Sequence, residues 1–192
     1  MKKEDKKKAV SNENVSVEKD LGRRLYLMRH GKAAKNKKDG KDAFRHLVKR
    51  GKKDVKKIRN LMMDRHVQPD LILCSPSVRT METLMKLKKA FGTTEVLFVD
   101  DLYMADADDI LRILRHTASD KHDVLLIGHN PGLQEFLPMV CDWDVEDEDL
   151  CTHRIVEGFP TSALACLEFP EPWQKLGNFP VRLKEFIYSS DL

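Results

Sequence analysis

Four short apolar runs, each breaking into polar residues and then into a helical repeat, leave few folds open to this sequence. Leu25 to Met28 breaks into Arg29-His30-Gly31, Leu71 to Cys74 into Ser75-Pro76-Ser77, Val96 to Val99 into Asp100-Asp101, and Val124 to Ile127 into Gly128-His129-Asn130. Continuous apolar runs of this length suit strands covered on both faces. Between them, Val55, Ile58, Leu61 and Met62 recur at helical spacing after Gly51, as do Met81, Leu84 and Leu87, then Ile110, Leu111, Ile113 and Leu114, and finally Leu133, Phe136, Leu137 and Val140. Ser75 is placed to cap the second helix and Pro76 to open it, and Pro131 to open the fourth. Strands alternating with helices imply a mostly parallel sheet, because each crossover must pass over one face. Residues 162–169 and 181–188 read as two further strands, joined by a loop holding Pro170, Pro172 and Gly177. The expected fold is a three-layer α/β/α sandwich with helices on both faces and a C-terminal antiparallel hairpin.

The chain has 192 residues, 41% hydrophobic and 34% charged, which fits one domain. Residues 1–23 mix lysines with Glu4, Asp5, Glu13, Glu18 and Asp20 and read as a solvated tail, leaving 24–192 to fold. There is no apolar stretch of membrane-spanning length and no apolar leader, so no membrane partner is expected and a cytoplasmic location is. Cys74, Cys141, Cys151 and Cys166 are irregularly spaced with no CxxC pair, which argues against a zinc cage or a disulfide framework. Neither a metal nor a cofactor is expected. The formal charge of +3 is too small for a general polyanion binder, and no reader motif or aromatic interleaving points to nucleic acid. That small surplus conceals a division: residues 29–65 hold 15 basic against 4 acidic side chains, while 142–149 are strongly acidic.

In sheets of this type, ligands bind beyond the carboxyl ends of the strands. Arg29 and His30 follow the first run, Arg79 the second, and His129 the fourth. Arginines gathered there need an anionic partner, and their planar forks match phosphate oxygens. A histidine among such cations is held neutral and can attack phosphorus, while a second can donate to the phosphoryl oxygens.

The blocks LYLMRHGKA (25–33), CSPSVRTMET (74–83) and LLIGHNPGL (125–133) resemble those of the histidine phosphatase superfamily, which includes phosphoglycerate mutases and acid phosphatases. LVKRGKKD, DDLYMADADDIL, FPTSALACLEF and LKEFIYSSDL extend the resemblance, over about residues 24–192, toward SixA-type phosphohistidine phosphatases. The resemblance implies a metal-independent hydrolase in which His30 is transiently phosphorylated while Arg29, Arg79 and His129 hold the phosphoryl group. By position, Gly31, Lys32, Arg45 and Asn130 become candidate substrate-binding residues. Many members carry a glutamate acid after the third strand; here Asp100, Asp101, Asp106, Asp108 and Asp109 are available, and Asp106 is the candidate chosen. The implied substrate is a phosphorylated protein, with phosphohistidine the favoured group. The alternatives are a small acidic phosphate, as for a small-molecule phosphatase or phosphoglycerate mutase-like enzyme, and a non-catalytic phosphate-binding module. Oligomeric state is not legible.

Overall fold

The computed structural model describes residues 22–35, 41–118, 120–141, 154 and 156–192. The acidic segment 142–149, Cys151, His153 and residues 1–21 of the expected tail lie outside them. Six strands, β1 (Arg23–Arg29), β2 (Leu71–Cys74), β3 (Glu95–Phe98), β4 (Asp123–Gly128), β5 (Leu164–Phe169) and β6 (Arg182–Ile187), form one sheet in the order β3-β2-β4-β1-β5-β6. The first four pair in parallel; β5 is antiparallel to both β1 and β6. The sandwich and its C-terminal hairpin are therefore as the apolar pattern predicts.

Among the described residues, the helices α1 (Lys49–Asp64), α2 (Val78–Leu87), α3 (Ala107–Thr117) and α4 (Gly132–Val140) cover the sheet. Alternate residues of β1 supply the two cores. Tyr26 and Met28 pack with Val55, Ile58 and Met62 of α1 and Leu84 and Leu87 of α2. Leu25 and Leu27 pack with Ile110 and Ile113 of α3 and Phe136 and Val140 of α4. Each such fully buried aliphatic side chain contributes about 1.5–3 kcal/mol, enough to hold α1 despite the run of lysines on its outer face. The edge strands differ from the centre. On β3, Leu97 and Phe98 are exposed, and β6 exposes Arg182 and Lys184 while burying Phe186.

α2 begins two residues later than Ser75 and Pro76 suggest. Its cap position is Ser77, whose hydroxyl meets that of Thr80 at 2.7 Å, and Ser75 is drawn instead toward β4. Pro131 precedes the fourth helix as the cap residue and is not its first turn.

This topology opens a crevice where the strand ends lie side by side. Arg29 lies opposite Gly128, and Cys74 opposite Ile127, so β1, β2 and β4 end at one level. The chain leaving β1 and β2 turns to one face of the sheet and the chain leaving β4 to the other, which separates the loops above β4.

Candidate active site

A cavity of about 280 Å³ occupies that crevice, walled by Arg29, His30, Arg79 and His129, with Asp42 and Arg45 toward its mouth. Each wall is fixed by backbone. The His30 amide donates to the Gly128 carbonyl, and the Ser162 amide donates to the Arg29 and His30 carbonyls. The Gly31 amide donates to Thr83 Oγ1, which in turn donates to the Arg79 carbonyl, tying the end of β1 to the first turn of α2. Gly31 has no room for a side chain: a Cβ there would lie 2.8 Å from Val55 Cγ2.

His30 is buried, and its Nδ1 stands 2.8 Å from the Gly31 carbonyl oxygen. A carbonyl only accepts, so Nδ1 carries the proton and donates to it, leaving the lone pair on Nε2. Arg79 Nε donates to that Nε2 at 3.2 Å. Burial, above all, pushes the His30 pKa down to about 4; the Gly31 carbonyl opposes this, and the Arg79, Arg29 and Arg45 charges reinforce it. The His129 ring sits 5.2 Å from that of His30, with Nε2 2.7 Å from the Ser75 hydroxyl. Burial, then Arg79 and His30, pushes its pKa to about 3. Both imidazoles are therefore neutral near pH 7. Arg29 NH1 donates to the Phe159 carbonyl, and the Asn130 amide donates to the same oxygen.

The model of the histidine phosphatase superfamily (branch 1) matches residues 25–110. A solved structure assigned as a phosphohistidine phosphatase SixA, from Agrobacterium tumefaciens, is 31% identical, covering 86% of this chain and 97% of that one at a TM-score of 0.69. The chain belongs to the histidine phosphatase superfamily. It is accordingly a phosphatase of the hydrolase class. A SixA protein histidine phosphatase complexed with tungstate shares the fold at 20% identity, with 88% and 98% of the two chains covered and a TM-score of 0.68. An uncharacterized chloroplastic protein of Arabidopsis thaliana is 27% identical over 165 residues, 81% of this chain and 75% of that one.

Within this histidine phosphatase the strand-end residues singled out by sequence converge as expected: Arg29, His30, Arg79 and His129 share one cavity, and Lys32, Arg45 and Asn130 line it. Two candidates stand elsewhere. Gly31 does not line the cavity, since its amide is committed to Thr83 and its carbonyl to His30. Asp106 caps α3, its carboxylate accepting from the Asp109 amide 2.8 Å away, and it is exposed outside the cavity. A carboxylate that caps a helix N-terminus is aimed at backbone and not at the cavity, which unsuits it as an acid there.

Sequence reasoning missed Asp42. It sits in a single 3₁₀ turn, Asp42–Phe44, and its carboxylate meets Arg79 NH2 at 3.0 Å and accepts from the Tyr103 hydroxyl at 3.0 Å. Arg45 Nε makes an ionic contact with it at 2.7 Å, outside hydrogen-bond alignment. Burial opposes ionisation of Asp42, but the Tyr103 hydroxyl and the Arg79 and Arg45 charges outweigh it and hold its pKa below the usual carboxylate range. The available signal was the Asp-x-x-Arg spacing within an otherwise basic segment.

Proposed function

We propose that the chain is a phosphohistidine phosphatase-type enzyme working through a covalent phosphohistidine on His30. The observation that carries this reading is the fixed tautomer of His30: Nδ1 is tied to the Gly31 carbonyl, and Nε2 holds its lone pair beside Arg79 in an arginine-lined cavity. In the first step His30 Nε2 bonds to phosphorus while the bond to the leaving atom breaks, and that atom keeps the electron pair and takes a proton from solvent. In the second, water attacks phosphorus, the P–Nε2 bond breaks, and the lone pair returns to His30 as orthophosphate forms. Arg29 and Arg79 carry the charge that collects on the phosphoryl oxygens, and His129, backed by Ser75, adds a neutral donor.

The leaving group follows from the acids at hand. Among the described residues, Asp42 is the one carboxylate lining the cavity, and its ion pairs keep it deprotonated. A site poor in proton donors favours leaving groups that depart without strong protonation. Imidazole, with a pKa near 6.5, departs far more readily than an alkoxide. Phosphohistidine therefore suits the site better than a sugar phosphate. The mouth suits a protein surface: Phe44, beside Asp42, and Met104, on the cavity rim, are exposed by 64% and 57%.

The test is trapping. The wild-type protein, incubated with a ³²P-labelled phosphohistidine protein and separately with labelled small phosphomonoesters, is expected to take label from the former as an acid-labile phosphohistidine. His30→Ala abolishes both labelling and turnover. Full activity in that variant, or label on another residue, overturns the mechanism; faster turnover of a small phosphomonoester reassigns the substrate.

A further inference from the structure

The cavity contains its own anion. Arg79, the arginine nearest the nucleophile, has every nitrogen engaged: Nε on His30 Nε2, NH1 on the Asp42 carbonyl at 2.9 Å, and NH2 on the Asp42 carboxylate at 3.0 Å. The other carboxylate oxygen lies against Arg45. Asp42 thus takes up charge on two of the cations available to a phosphoryl group. Its side chain is fastened from a third direction by Tyr103, whose ring also lies 5.8 Å from the Arg79 guanidinium. The Asp42 side chain remains about one-third exposed while that of Arg79 is only 2% exposed. It therefore stands between the guanidinium and the solvent through which phosphate enters and leaves.

From this arrangement we infer that Asp42 is an internal counter-anion that competes with bound phosphate for Arg79 and Arg45 and so weakens retention of the product. The inference rests on the phosphatase reading, and its physical basis is simple. A buried arginine needs an anion whenever the cavity is empty of substrate, and Asp42 supplies it. When a phosphoryl group arrives, the carboxylate lies within a few ångströms of it and repels it. The repulsion grows with the charge on the phosphoryl group, so near neutral pH, where phosphoryl groups are largely dianionic, it acts strongly on the orthophosphate left in the cavity after hydrolysis. Two needs are met by one residue: Arg79 is held in place against His30, and the product is expelled from a site that would otherwise grip it.

A purely structural role predicts the opposite sign. If Asp42 served only to aim Arg79, its loss would free the guanidinium and weaken anion binding. The test is calorimetric titration of inorganic phosphate, and separately tungstate, into the wild-type full chain and Asp42→Asn, which keeps the shape and removes the charge. Asp42→Ser serves as a second variant, and melting temperatures verify folding. Binding of both oxyanions is expected to tighten by about tenfold or more on removal of one like charge, with deeper product inhibition in turnover. Unchanged or weaker binding in both variants overturns the inference. The substrate reading fails separately: tightening without turnover of any phosphohistidine donor would retain the counter-anion and reject phosphohistidine as substrate. Absence of oxyanion binding in all three proteins would reject both.

Discussion

Two buried neutral histidines 5.2 Å apart make folding sensitive to acid, and the size of the effect can be worked out. His30 and His129 have pKa values pushed down to about 4 and about 3, whereas an unfolded histidine titrates near 6.5. Between those values the unfolded chain binds protons that the folded chain refuses. Stability is therefore complete above about pH 6.5 and is lost as pH falls toward the folded pKa, where the loss levels off. The full displacement for His30 corresponds to roughly 3 kcal/mol, and the part realised between pH 7 and pH 5 is roughly 2 kcal/mol for each histidine. His30 is only 6% exposed, so solvent screening removes little of this. The assay is urea unfolding of wild type and His30→Gln at pH 7 and pH 5. Every other titrating group is common to both proteins, so the difference of differences reports His30 together with its effect on the coupled His129 ring. The variant is expected to lose about 2 kcal/mol less than wild type on acidification. Equal losses would mean that His30 titrates alike in the folded and unfolded chains, and would refute the downward shift that its burial imposes.

Three further substitutions probe the frame. Gly51→Ala puts a Cβ 2.2 Å from the Lys32 carbonyl oxygen and 2.6 Å from its amide nitrogen, against backbone that cannot rotate away; a cost of about 3 kcal/mol is expected in chemical denaturation. Gly92→Ala, whose Cβ meets nothing within 4 Å although φ is +59°, is expected to cost only about 1–2 kcal/mol. Thr83→Val strands the buried Gly31 amide, costs about 1–3 kcal/mol, and loosens the turn whose carbonyl fixes the His30 tautomer. Its kcat is expected to fall more than its KM rises, and an unchanged kcat would detach that turn from catalysis.

The sheet was legible because its information is local. Runs such as Leu71 to Cys74 and Val124 to Ile127 are apolar throughout because both sides of β2 and β4 are covered, and that burial is stated by composition alone. The same reasoning misreads the start of α2. Ser75 and Pro76 form a good local start signal, but the Ser75 hydroxyl has a nearby competitor in His129 Nε2, just past the end of β4 and 54 residues away in sequence. Tertiary contact overrides a cap preference worth about 1 kcal/mol.

The site divides along the same line. Arg29, His30 and His129 stand where strands end, and Arg79 in the first turn after one, so the direction of the backbone brings them together whatever their side chains do. Asp42 lies in a segment without periodicity, and its place over Arg79 depends on how residues 41–47 return to the sheet: the Val48 amide bonds the Lys32 carbonyl, and Glu82 holds the Leu47 amide at 2.7 Å. None of these contacts has a sequence period. A carboxylate's chemistry is set by what claims it. Asp106 is claimed by the amides of α3, and Asp42 by two guanidiniums and a phenol. The claim on Asp106 is local, made by the Asp109 amide of the helix it caps, whereas the claim on Asp42 is made in part by Arg79 and Tyr103, which are remote in sequence, so an acid search confined to the segment after the third strand does not reach it. What the strand ends do fix is the number of cations facing the phosphoryl group, and with it the need for an anion such as Asp42 when that group is gone.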